Sequence, residues 1–148
     1  MTSQKFTYPT EKIINSAFLK NGRSDVVKWE ALPIPEACSL KLIFENWDKS
    51  KRHGVWVGVE GELVVNGFNS ASMEIWSDSA PETVLIEVKK SNGIIHLYNI
   101  WDSGKGKQSQ SYTSGMLIEE IVNGRRYRCN DIGFEEKFDH LTFQILWD

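Results

Sequence analysis

The residues of this chain best suited to do chemistry gather around one apolar run and the polar segment that follows it. Trp76, Asn99, Trp101, Asp102, Gln108, Gln110 and Tyr112 combine flat aromatic faces with planar amides, a carboxylate and a phenol. Sugar binding asks for that mixture: an apolar face for the C–H side of a ring, and amide or carboxylate groups for its hydroxyls. The competing reading makes Trp76 and Trp101 sheet-packing residues beside a solvated loop. A second group is Arg125-Arg126-Tyr127-Arg128. On a strand Arg126 and Arg128 share a face, where two planar guanidinium forks could hold a carboxylate or phosphate, with Lys105 and Lys107 as further cations. The competing reading is edge protection, since charged side chains discourage strand-to-strand aggregation.

Other chemistries find less support. Asp48, Glu60, Glu62, Asp131, Glu135, Glu136 and Asp139 offer hard oxygen ligands, but no segment has the spaced acidic loop with a central Gly that binds Ca²⁺. His53, His96 and His140 are scattered, with no two at zinc-ligand spacing. No metal and no cofactor are therefore expected. Ser103-Gly104 and Ser114-Gly115 lack the Gly-x-Ser-x-Gly elbow of a nucleophilic serine. Cys129 with a histidine near in space would make a Cys–His pair, but a buried structural cysteine is the commoner case. Nothing selects two carboxylates for glycoside hydrolysis. Gly104-Lys105-Gly106-Lys107 lacks the length and the Ser/Thr of a phosphate loop. Asn130-Asp131-Ile132-Gly133-Phe134 reads as a tight turn held by Asx side chains.

The elements that must position these groups are strands. Leu40, Leu42 and Phe44 fall on one face of a run with period two, as do Val55, Val57 and Val59 against Trp56 and Gly58, then Leu63 and Val65, Met73 and Ile75, and Val84, Ile86 and Val88. Further runs cover 116–122, 126–130 and 141–147. A period of two with β-branched and aromatic residues is the strand signature. Ile94–Trp101 is apolar on both faces, which predicts a central strand. Asn66-Gly67, Asn92-Gly93 and Asn123-Gly124 supply the φ > 0 residues of tight hairpins, and Glu60-Gly61 divides two further runs. Residues 10–21 read either as a short helix capped by Thr10 or, preferred here, as an opening strand Lys12–Asn15 and a loop. Pro33 and Pro35 mark an irregular link before Cys38. The segment 102–114 is a long polar loop.

Two end segments resemble a known family. Ile13-Ile14-Asn15-Ser16-Ala17-Phe18, then Asn21-Gly22 and Trp29, is similar to the first strand of galactose-binding-like β-sandwiches, with Ser16 where that family usually has Gly. Phe138-Asp139-His140-Leu141-Thr142-Phe143 is similar to their last strand. Many carbohydrate-binding modules belong to that family, so the resemblance implies a sandwich topology and a saccharide ligand.

Bulk properties set the frame. The 148 residues suit one domain spanning 1–148, with 41% hydrophobic and 25% charged residues. A net charge of -3 argues against nucleic acid, whose phosphates call for basic excess. No apolar run is long enough to span a membrane, and Met1–Phe6 shows no apolar signal core, so a cytoplasmic protein with reduced Cys38 and Cys129 is expected. The expected fold is all-β, a two-sheet antiparallel, jelly-roll-like sandwich. The expected function is non-catalytic binding of a carbohydrate or similar polar ligand through Trp76, Asn99, Trp101, Asp102, Gln110, Tyr112, Arg126 and Arg128. The alternative is an assembly protein, a homo-oligomer joined through a sheet face bearing Trp56, Val64 and Trp76.

Overall fold

The computed structural model describes residues 7–134 and 137–147. Among these residues eleven strands and one short helix follow in chain order: β1 (Ile13–Ile14), α1 (Ser16–Lys20), β2 (Val27–Pro33), β3 (Cys38–Trp47), β4 (Arg52–Val65), β5 (Phe68–Trp76), β6 (Val84–Lys90), β7 (Ile94–Asp102), β8 (Lys107–Ser109), β9 (Gly115–Ile121), β10 (Gly124–Asn130) and β11 (Leu141–Leu146). The all-β class is as the alternation requires.

The two-sheet, jelly-roll-like sandwich is not what forms. Eight strands close in the order β2-β9-β10-β11-β3-β6-β4-β7 and return to β2, an antiparallel barrel. Two features make the closure. β2 pairs with β7 through Glu30↔Leu97 to Pro33↔Ile94, joining what would be two open edges of a sandwich. β4 is long enough to serve two neighbours, pairing β7 through Arg52–Gly58 and β6 through Glu62–Val64. Between those stretches its register shifts, and Gly61 crosses so close to β6 that a Cβ there would stand 2.0 Å from the Lys90 carbonyl oxygen. Glu60-Gly61 is thus a bulge inside one strand rather than a boundary between two. Asn66-Gly67 is a tight turn as expected, with φ of 50° and 81°, and Asn123 turns β9 into β10. Asn92-Gly93 is no hairpin, because it joins β6 to β7 and β4 lies between those two strands.

Residues 27–33 form a strand that the alternation did not single out, and the irregular link expected at Pro33 and Pro35 before Cys38 follows it over 34–37. The opening segment carries both candidate elements, two strand residues and then a five-residue helix, and the cap is Asn15 rather than Thr10. The Asn15 side chain accepts from the Ala17 and Phe18 N–H groups, satisfying donors that a helix start leaves open.

Alternation sorts the barrel into inside and outside. Val55, Val57, Leu97, Tyr127, Phe143 and Ile145 are buried within it, and the Tyr127 and Phe143 rings stack at 4.8 Å. β7 is the central strand that its composition predicts: every residue from Ile95 to Trp101 is buried, under β2, β4 and β8. On its outer face Trp29, Trp56, His96 and Tyr98 cluster, with Trp56 and Tyr98 stacked at 4.7 Å and Tyr8 lying across them. The Trp56 indole lies flat over Gly58, where any Cβ would meet it at 2.5 Å. Trp56 is therefore half-buried among aromatics rather than part of an open patch with Val64 and Trp76. Among the described residues no helix is long and apolar enough to cross a membrane, and Cys38 and Cys129 are unpaired.

Candidate functional site

The barrel interior is not uniformly apolar. At one end Asp131, just past β10, is fully buried beside His53 of β4. The His53 Nε2–H donates to Asp131 Oδ2 at 2.6 Å, because a carboxylate can only accept. Lys51 Nζ stands 3.5 Å from the same oxygen, and the Asn99 amide donates to Oδ1 at 3.4 Å and to the Asn130 carbonyl at 3.1 Å. The Asp131 N–H donates to His140 Nδ1 at 3.0 Å, and the Ser111 hydroxyl donates to the Asp131 carbonyl. Every polar atom of Asp131 is thus engaged, as a buried charge demands.

This pair has the composition of a catalytic dyad but not its access. His53 has no exposed surface, and its Nδ1 faces the protein interior without a partner. Cys129 is also fully buried, and burial, then the charge of Asp131, push its thiol well above the ordinary range. A neutral thiol is a poor nucleophile. The cluster holds a strand end and the chain after β10 together.

Its one outward arm is Lys51. That residue lines a concave pocket of about 440 Å³ with Trp47, Lys49, Ser50, Arg52, Ser77, Asp78, Asp102, Ser103 and Gly104. The turn after β3, the loop between β5 and β6, and the end of β7 all converge there. Each wall is held: Arg52 grips Asp78 through two bonds of 2.8 and 3.1 Å, and that grip keeps the Asp78 carboxyl below its usual range. Asp102 Oδ1 accepts from the Gly104 and Gly106 N–H groups at 2.8 and 3.1 Å, folding the loop tip into an Asx turn. Lys49 Nζ lies 3.7 Å from the centre of the Trp47 ring, and Arg52 lies 4.4 Å from that of Trp76. Cations, carboxylates, hydroxyls and an indole share one hollow.

The predicted site residues scatter. Asp102 lines the pocket, and Trp76 reaches its rim through Arg52. Trp101 is a core residue, 1% exposed, inside the barrel opposite His53. It cannot offer a face to a ligand. Asn99 is buried on Asp131. Gln110 donates to the Lys28 carbonyl at 2.8 Å, which holds its own backbone at φ 54°. Tyr112 is exposed, but its carbonyl is bound by the Asn15 amide and its ring meets Phe134, away from the pocket. The segment after β8 is therefore stapled to the barrel by its polar groups rather than offering them to solvent.

The arginines make no clamp. Arg126 bonds Glu45 at 2.9 Å and Glu119 at 3.5 Å, and Arg128 donates to the Lys137 carbonyl. Edge protection is not their role either, because β10 lies between β9 and β11. Arg125 turns inward, where it and the Tyr127 hydroxyl both donate to Glu30 Oε2 at 2.9 Å. Among the described residues no group of three or more His, Cys, Asp or Glu stands where it could hold a metal ion; Glu135 and Glu136 lie outside them.

Sequence reasoning missed the cluster of His53 and Asp131, which are 78 positions apart. Asp131 stood out only as a turn residue and as one of the scattered acidic residues weighed as metal ligands. It also missed Trp47, Lys49, Ser50 and Lys51, whose signal was the dense polar turn following a strand that ends in Trp. Compared with family models and with curated proteins, the chain matches none.

Proposed function

We propose that this protein is a non-catalytic binding protein that takes a small polyhydroxylated ligand, a saccharide or a close chemical relative, in the pocket between Trp47, Lys51 and Asp102. The observation that carries the reading is the convergence of opposite charges, hydroxyls and an indole on one hollow of about 440 Å³. A sugar hydroxyl donates to Asp102 and accepts from Lys51, Ser50 does either, and Ser77 and Ser103, whose protons go to the His53 carbonyl and to Gln108, accept. Lys51 is held in place from behind by Asp131, so little side-chain freedom is lost on binding. The resemblance of the two end segments to carbohydrate-binding modules adds no support, since the sandwich it implies does not form and Asn15 caps a helix. The unpaired thiols of Cys38 and Cys129 support a reducing, cytoplasmic setting.

The test is tryptophan fluorescence during titration with a panel of neutral and acidic mono- and oligosaccharides. At least one should bind, and Lys51→Ala and Trp47→Ala should each weaken it about tenfold or more, the loss of a charged hydrogen bond or an aromatic contact. No response across the panel at millimolar concentration, or a response that both variants leave unchanged, would reject the reading.

A further inference from the structure

A closed barrel abolishes edges, but three strands lie outside the closure and keep one edge each. β1 has two residues and β8 three, with Lys107 on the latter. Both are short, the usual way that proteins blunt an edge. β5 is different. It has nine residues, Phe-Asn-Ser-Ala-Ser-Met-Glu-Ile-Trp, paired to β4 on one side only. It carries neither Pro nor Lys, and its single charge, Glu74, makes a surface ion pair with Lys107 at 2.9 Å.

The direction of its main chain can be read from two bonds. The Ser77 N–H, just past the strand, donates to the His53 carbonyl of β4, so odd-numbered residues near that end face β4. Ser72 and Glu74 therefore turn their N–H and C=O groups outward. The Ser72 N–H finds only the Ser70 hydroxyl, at 3.3 Å. Outside this edge runs a groove of about 1250 Å³, walled on its far side by Val84, Leu85 and Glu87 at the start of β6. Phe68 and Leu85 on its borders are 72% and 48% exposed.

We infer that two copies of this chain associate through β5, antiparallel across a twofold axis, each strand lying along the groove of the other. An unprotected edge is complementary in hydrogen bonding to itself when turned antiparallel, so the partner needs no chemistry this chain lacks. A net charge of -3 opposes self-association only weakly. Charge also sets the register. Centring the axis on Glu74 would face carboxylate with carboxylate, whereas centring it on Met73 places Ser72 opposite the partner's Glu74, and the reverse. The inference is independent of the saccharide reading, whose pocket uses other residues.

Sedimentation velocity across a concentration series tests it on the whole chain. The unmodified protein should dimerise in the micromolar range. Ser72→Pro removes an outward donor that β4 does not use and should give monomers. Ser72→Glu, which leaves the backbone intact should the proline variant fail to fold, faces two pairs of carboxylates and should weaken the dimer about tenfold. Ser72→Lys should tighten it by a similar factor. A protein monomeric at every concentration, or a dimer indifferent to Ser72→Pro and Ser72→Glu, overturns the inference. A dimer that Ser72→Lys weakens overturns the register.

Discussion

The barrel buries two carboxyl groups near the two ends of β10, and it satisfies them differently. Asp131 has both side-chain oxygens engaged, by His53, Lys51 and Asn99, and His53 is as deeply buried as Asp131 itself. Glu30 has one oxygen engaged, by Tyr127 and Arg125, while Oε1 is buried with no partner. Its cation is a quarter exposed and also pairs with Glu120 at 2.8 Å. In the first arrangement Lys51 is as exposed as Arg125, but His53 cannot reach water. The second has a partner with somewhere else to go. A buried ion cluster resists loss of a member because the survivors keep their desolvation penalty, and that penalty falls when a survivor can reach water.

The largest expected effect follows directly. Asp131→Ala should destabilise the fold by about 3–5 kcal/mol in urea unfolding, because it strands buried His53 and takes the acceptor from Lys51 and the Asn99 amide together. Glu30→Ala should cost less, about 1–3 kcal/mol, since Arg125 can turn to Glu120 and solvent. Equal costs, or the reverse order, would break the comparison.

A smaller effect isolates one bond at the open-ended site. Burial first, and then Glu30, push the Tyr127 hydroxyl well above its ordinary value, so it remains a donor throughout the usual pH range. Tyr127→Phe keeps the ring stacked on Phe143 and removes only that donor. The expected cost is about 1–1.5 kcal/mol by the same unfolding assay. A neutral result would mean that Arg125 alone satisfies Glu30.

The smallest effect uses a titratable group on the outside of the barrel. Burial pushes His96 below its ordinary value, with Glu60 pulling weakly the other way. Its Nδ1 accepts from the Trp29 indole N–H at 3.0 Å. A histidine held low binds fewer protons folded than unfolded, so stability rises with pH. That contribution is present above the unfolded value of about 6.5 and is lost as pH falls from there toward the folded value. His96→Gln, which can still accept from Trp29, should flatten this part of the Tm–pH curve between pH 7 and 5. Parallel curves for the two proteins would refute it.

Much of the strand content was legible because its signals are local. Val55, Val57 and Val59 alternate within five residues, and Asn66-Gly67 announces its turn by two side-chain types. Closure was not legible, because it rests on β2. Trp29-Glu30-Ala31 does not alternate, since Trp29 belongs to an outer aromatic cluster and Glu30 points inward to Tyr127. An inward carboxylate reads from sequence as an outward one. The same inversion misplaced the site. Trp101 and Asn99 had the residue types of a sugar surface but sit on the most buried strand, while Trp47 and Lys51 had no motif to single them out.

The sequence by itself determined an all-β chain, the central place of Ile94–Trp101, and the hairpins at Asn66-Gly67 and Asn123-Gly124, because period and turn chemistry act between neighbours. Only the tertiary structure decided that the strands close into a barrel, that Asp131 meets His53 from 78 positions away, and which polar residues hold the fold rather than face a ligand. Those outcomes depend on register between distant strands. A side chain's type states what it can bond, and only its place states what it does.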